Sequence, residues 1–204
     1  MPDKTLFITG IGTGIGKTIV SAVLTEKLKS DYWKPIQSGD LDDSDTLKVK
    51  NLVSNDNSTF HTEAYRLTQP YSPHKSAAID GITIDLNKII TPETNNRLLI
   101  EGAGGLMVPL NDDDLMIDLI KKLDVEVVLV SQNYLGSINH TLLSAAILKQ
   151  YDIKIAGIIF NGKVDENSES YILNYTGLKL LGHLPEFKTV DKDLIIKAGD
   201  FITL

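Results

Sequence analysis

The chain contains no cysteine. That excludes disulfides, thiolate metal sites and a cysteine nucleophile. No apolar run approaches the ~20 residues that a membrane-crossing helix needs. Positive charge is in deficit: 20 Lys and Arg stand against 27 Asp and Glu, a formal net charge of −7. Such a balance argues against nucleic acid as the main partner, although a nucleotide site can be locally basic inside an acidic protein. The four histidines, His61, His74, His140 and His183, are spread out, with no metal-ligand spacing and no Ser-His-Asp constellation. Repeats and low-complexity linkers are also missing. The first apolar run starts at Thr5, which leaves no room for a signal peptide. These absences together predict a cytoplasmic enzyme with no membrane or nucleic-acid partner.

What is present is an ordinary globular composition, 42% hydrophobic and 23% charged over 204 residues. That length fits one domain, residues 1–204. Its most informative stretch is Gly10-Ile11-Gly12-Thr13-Gly14-Ile15-Gly16-Lys17-Thr18. The apolar run Thr5–Ile8 before it reads as a strand, and Ile19–Leu24 after it starts a helical pattern. Strand, Gly-rich turn, Lys-Thr and helix form the context of a phosphate-binding loop. Glycines let backbone N–H groups approach a phosphate without Cβ obstruction, and the helix N-terminus adds a favourable dipole. Lys17 would reach the terminal phosphates and Thr18 would offer its hydroxyl to magnesium. The loop is a variant, because one residue more than usual separates its first glycine from the Gly-Lys pair.

Apolar runs alternate with helical patterns along the rest of the chain. Strands are expected at Tyr32–Lys34, Arg97–Glu101, Val125–Ser131, Ile155–Asn161 and Leu178–His183. Helices are expected at about Lys17–Lys29, Ser44–Val53, Leu115–Leu123, Ile138–Tyr151 and Ser168–Thr176, with a weaker one at Leu86–Ile90. Gln37–Asp43 and Asn55–His74 read as loops. Near-continuous apolar strands are the mark of a parallel sheet buried on both faces. The predicted fold is a single P-loop NTPase-like α/β domain, a mostly parallel sheet with helices on both faces. Ligands in such folds sit beyond the C-terminal ends of the strands. Polar and glycine residues collect at those ends: Lys34-Pro35-Ile36-Gln37-Ser38-Gly39, Glu101-Gly102-Ala103-Gly104-Gly105, Ser131-Gln132-Asn133 and Asn161-Gly162.

Several of these residues suit phosphoryl chemistry. Magnesium on a triphosphate takes one or two carboxylates besides phosphate and water oxygens. Glu101 ends an apolar strand. The stretch Asp40–Asp45 offers Asp42, Asp43 and Asp45 as alternatives, which spacing does not separate. Lys34 would face the phosphates from a second side and neutralise charge in the transition state. Ser38 would bond a substrate or stabilise a turn. Asn161-Gly162-Lys163-Val164-Asp165 is close to a guanine-reading run, but the inserted Gly162 breaks that pattern, so no guanine specificity is read from it.

Taken together and in order, the segments above resemble the dethiobiotin synthetases of the biotin pathway over nearly the whole chain. Ser44-Asp45, Ser72-Pro73-His74, Pro109-Leu110, Gly136-Ser137-Ile138-Asn139-His140 and Leu181-Gly182 before Pro185 add to the likeness. The resemblance implies a homodimer that uses ATP and Mg2+ to close a ureido ring on 7,8-diaminononanoate with CO2 (or bicarbonate). It implies Thr18, Asp45 and Glu101 as magnesium ligands, and Lys17, Lys34 and Thr13 as the catalytic set. It implies nucleotide contacts at Gly14, Ile15, Gly16, Lys17, Thr18, Ile19, Asp45, Glu101, Gly102, Ala103, Gly104, Asn161, Gly162 and Pro185. Ser38 and the segment Ser137, Ile138 and Asn139 correspond to substrate contacts. The last three lie at a helix start that holds the substrate's tail carboxylate across the dimer.

The chain departs from the family at Ile11-Gly12, where side-chain contacts are lost, and in its shorter segment after Pro185. Two other P-loop classes fit less well. Amidoligases with a glutaminase domain need a cysteine nucleophile. Switch ATPases carry an extra lysine early in the loop, where this chain has Ile11 and Gly12.

Overall fold

The computed structural model describes residues 5–204. Strand β1 (Thr5–Gly10) leads into helix α1 (Lys17–Leu28), and β2 (Asp31–Trp33) follows. Next come β3 (Ile36–Ser38), α2 (Asp45–Leu52), β4 (Phe60–His61), β5 (Tyr65–Leu67) and α3 (Pro73–Ile79). The second half runs β6 (Leu98–Gly105), α4 (Met116–Leu123), β7 (Glu126–Gln132), α5 (Ser137–Gln150), β8 (Ile155–Asn161), α6 (Glu166–Thr176), β9 (Leu180–Leu184) and α7 (Lys192–Ala198). Seven strands form one sheet in the order β4-β2-β6-β1-β7-β8-β9, and every pair in it is parallel. A separate parallel pair joins β3 to β5.

Alternation along the strands builds a core on each face of the sheet. In β1, Leu6 and Ile8 join a cluster with Val20, Val23 and Leu24 of α1, Val49 of α2 and Ile195 of α7. Phe7, one residue between them, packs the other way against Met116, Ile117 and Ile120 of α4 and Leu148 of α5. A third cluster places Leu129, Ile158 and Phe160 against Ile172 of α6. This two-sided burial is why the strands read as continuous apolar runs, and it gives the helices on both faces that the sequence predicted.

Three expectations need correction. Asn55–His74, read as loop, contains β4 and β5 and the start of α3. Strands of two and three residues are too short to show periodicity. Gln37–Asp43, also read as loop, contains the end of β3 and a 3-10 turn at Leu41–Asp43. The expected helix at Leu86–Ile90 is only a 3-10 turn, Leu86–Lys88. In addition β6 runs past Glu101 to Gly105, and α7 occupies the region after Pro185, where no element was expected.

Candidate active site

Sheet register brings the sequence-distant site residues to one edge. Ile8 of β1 pairs with Glu101 of β6, so Glu101 stands beside the start of the Gly-rich loop. Trp33 of β2 pairs with Ile100, which puts Lys34, the next residue along, level with Glu101. Pro35 then turns the chain into β3. Gly16 closes the loop at φ 89°, a left-handed conformation that a side chain resists, and a Cβ there would run into the Asn161 amide.

Lys34, Asp45 and Glu101 form a connected charge cluster. Lys34 Nζ lies 2.6 Å from Asp45 Oδ2 and 3.3 Å from Glu101 Oε1. Thr18 Oγ1 donates to Glu101 Oε1 at 3.1 Å, and the Tyr32 hydroxyl donates to Glu101 Oε2 at 3.0 Å. Glu101 and Lys34 are buried, 1% and 4% exposed. Burial disfavours charge on either residue, and their mutual pairing offsets that cost. Burial pushes the Lys34 ammonium down, but Glu101 and Asp45 outweigh it and leave the group above its usual value. Burial likewise works against the Asp45 carboxylate, and the Lys34 charge with its hydrogen bond reverses the effect and holds Asp45 low. Lys17 has only partial compensation. Burial pulls its ammonium down to about 8, against the attraction of Glu101 and with Lys34 adding to the fall. Its Nζ bonds the Gly12 carbonyl at 2.8 Å, within the loop itself.

A cavity of about 630 Å3 collects Thr13, Gly14, Gly16, Lys17, Thr18, Lys34, Ser38, Asp45, Glu101, Ala103 and Gly104. Most of the predicted catalytic, metal and phosphate residues thus share one space. Ser38 Oγ is buried with no hydrogen-bond partner among the described residues, as a hydroxyl awaiting a ligand would be. A second cavity, about 310 Å3, is lined by Ile19, Asn161, Gly162 and Pro185 together with Phe187 and Val190. Here β8 and β9 end side by side, since Asn161 pairs with Leu184. Ile138 and Asn139 lie elsewhere, in a third cavity of about 880 Å3 that shares no lining residue with the first. Ser137 is buried beneath it, its hydroxyl accepting from the Tyr134 N–H at 3.3 Å. Two more predicted residues line none of these cavities. Ile15 packs into the core beneath the loop, and Gly102 lies against the Phe7 ring.

Sequence reasoning missed Tyr32, Gln37, Phe187 and Val190. For Tyr32 a signal existed: a tyrosine in a wholly buried strand needs a partner for its hydroxyl. Phe187 and Val190 sit in a segment without periodicity.

The donor set suits a hard cation. Among the described residues no group of three or more His, Asp or Glu side chains forms a metal cage. Two carboxylates and a threonine hydroxyl are instead a partial set, which phosphate and water oxygens complete. Thr18, Asp45 and Glu101 meet that requirement, because Lys34 and Thr18 already tie the two carboxylates into one cluster.

A parallel sheet with a Gly-rich loop between β1 and α1, and with acidic and basic groups at the strand ends, defines a P-loop NTPase. The cell-division ATPase MinD of Pyrococcus furiosus has the same fold, with a TM-score of 0.63 over 97% of each chain at 13% identity. A protein-family model described as an AAA domain matches residues 4–193. Two curated proteins named ATP-dependent dethiobiotin synthetase BioD are much closer in sequence. That of Christiangramia forsetii is 52% identical over 95% of this chain and 93% of its own length. That of Cytophaga hutchinsonii is 50% identical over 94% and 93%. The chain belongs to the dethiobiotin synthetase family.

Proposed function

We propose that this protein closes the ureido ring of dethiobiotin from 7,8-diaminononanoate, CO2 and ATP. One amine of the diamino acid takes up CO2 and becomes a carbamate. The carbamate oxygen attacks the γ-phosphorus of ATP, and ADP leaves. The second amine then attacks the carbamate carbon, phosphate departs and the ring closes. The observation that carries this reading is the Lys34–Asp45–Glu101 cluster, which shares one cavity with Lys17 and Ser38.

Thr18, Asp45 and Glu101 hold Mg2+, which neutralises charge on the phosphates when bound. Lys17 and Lys34 carry positive charge to the γ-phosphate and the carbamate from two sides, the arrangement that stabilises a phosphoryl-transfer transition state. Thr13 sits near the reacting groups, and the backbone at 14–19 and 102–104 cradles the nucleotide. The free Ser38 hydroxyl bonds the diamino acid.

The base lies between Ile19, Pro185 and Phe187. Asn161 Nδ2 donates to the Ile15 carbonyl at 3.0 Å, so its Oδ1 remains as an acceptor for the base. The Gly162 N–H is spent on the Leu184 carbonyl at 2.8 Å. An acceptor on that wall, with the neighbouring N–H already used, favours a purine that presents an amine at its 6-position, as adenine does, over one with a 6-oxo group, as guanine has, which supports ATP.

The 204-residue chain acts as one domain, in the cytoplasm, as a homodimer. The separate cavity at Ile138 and Asn139 supports a tail-carboxylate site that serves the partner's reaction, and the N-terminus of α5 provides the dipole for it. Incubation with diaminononanoate, bicarbonate and each MgNTP in turn tests the reading. Diamine-dependent ADP release that exceeds GDP release supports it, and ADP release indifferent to the diamine refutes it.

A further inference from the structure

Gln37 has no role in the reaction proposed above, yet it lines the same cavity and both ends of its amide are engaged. It is 5% exposed. Its Nε2 donates to the Gly39 carbonyl at 2.9 Å, and its Oε1 accepts the Asp45 N–H at 3.3 Å. That N–H is among the donors that a helix start leaves unpaired. The other local partner, the N-cap residue Ser44, is occupied: its hydroxyl accepts from Leu47 N–H at 3.3 Å. Gln37 therefore supplies the bond that fixes the first residue of α2. The Asp45 carboxylate projects from that residue to Lys34.

The far end of the Gln37 amide is held as firmly. Gly39 adopts φ 71° and packs so closely on Pro70 that a Cβ would stand 2.6 Å from the Pro70 Cα. Gly39 N–H donates to the Leu67 carbonyl at 2.8 Å, tying it to β5. A rigid turn thus anchors one end of the glutamine, and the other end sets the direction of Asp45. Cavity residues Lys34, Gln37 and Ser38 lie within five positions of one another, so one short segment sets the placement of all three.

We propose that Gln37 is a positioning residue for Asp45, acting on metal binding through the Asp45 backbone without touching the metal. This rests on the assignment of Asp45 to Mg2+. The test is Gln37→Met, which keeps the length and removes both bonds. Mn2+ binding to the protein with a non-hydrolysable ATP analogue, read by electron paramagnetic resonance, should weaken about fivefold, the effect of one neutral hydrogen bond. Binding of the metal-free analogue should stay within about twofold. Unchanged Mn2+ affinity overturns the proposal, and so does an equal loss with and without metal.

Hydrogen exchange on the unaltered protein gives a second reading that does not depend on the variant folding. The Asp45 amide should exchange at least about tenfold slower than a free amide. Exchange at the free rate overturns the proposal. Neither measurement needs turnover, so their failure is distinct from failure of the proposed reaction, which is seen only in product formation.

Discussion

Lys34 stands between two carboxylates, 2.6 Å from Asp45 and 3.3 Å from Glu101. In the proposed reaction a lysine so placed would have charge to deliver once the carboxylates turned to Mg2+, and that charge is of most use where negative charge moves during phosphoryl transfer. Lys34→Gln should therefore lower kcat by roughly 10^2-fold or more while the dissociation constant for ADP changes less than about threefold. Rapid-quench turnover and equilibrium titration together check this, and equal losses in both would assign Lys34 to binding. Tyr32 acts on the same cluster from the opposite side. Tyr32→Phe leaves Glu101 Oε2 without its donor and should cost about 1–3 kcal/mol in urea unfolding. Of these two residues only Lys34 stood out in the sequence, because it ends a strand before a proline. Tyr32 has the same position in its strand as any core aromatic, and its hydroxyl contact depends on the register with β6. Asp45 was indistinguishable from Asp42 and Asp43 by spacing. The structure separates them through the helix start: the salt bridge to Lys34 comes from the first residue of α2, whereas Asp42 and Asp43 lie in the preceding 3-10 turn.

At the scale of elements, Asp31 joins β2 to two turns from distant parts of the chain. Its carboxylate accepts from the Thr59 N–H at 2.9 Å, the Thr94 hydroxyl at 2.7 Å and the Asn96 amide at 3.2 Å, and meets His61 Nε2 at 3.1 Å. Burial acts against its charge, but these bonds, Thr94 foremost, hold the carboxyl below its usual 3.8. A carboxylate whose folded value is depressed stabilises the fold above its unfolded value, and that stability is lost as pH falls through the folded value. Asp31→Asn should cost about 1–3 kcal/mol at neutral pH, and the gap to the unaltered protein should narrow only below about pH 4. Urea midpoints at a series of pH values measure it, and a gap independent of pH would contradict the assignment. The long parallel strands and five of the helices were legible as periodic runs. The β3–β5 pair was not, because its three-residue strands are fixed by the Pro35 turn and by the contact of Gly39 with Pro70, both of which are tertiary.

On the scale of the whole molecule, the reacting cavity and the Ile138–Asn139 cavity are separate within one chain. The proposed homodimer, in which each subunit would complete the other's site, would account for that separation. Mixing Lys34→Gln with a variant altered at Asn139 should then restore activity to about a quarter of the unaltered level, since half the dimers are mixed and each has one complete site. No restoration would assign the tail contact to the same subunit. The family resemblance was visible in sequence because it rests on short ordered segments at strand ends, which survive in the chain even where the surrounding loops are irregular. The proposed reaction moves a carbon from CO2 into a ring at the expense of ATP. Supplying 13C-bicarbonate, diaminononanoate and MgATP and following the products by mass spectrometry tests it most directly. Singly labelled dethiobiotin should form in step with ADP. Hydrolysis of ATP without labelled dethiobiotin would contradict it.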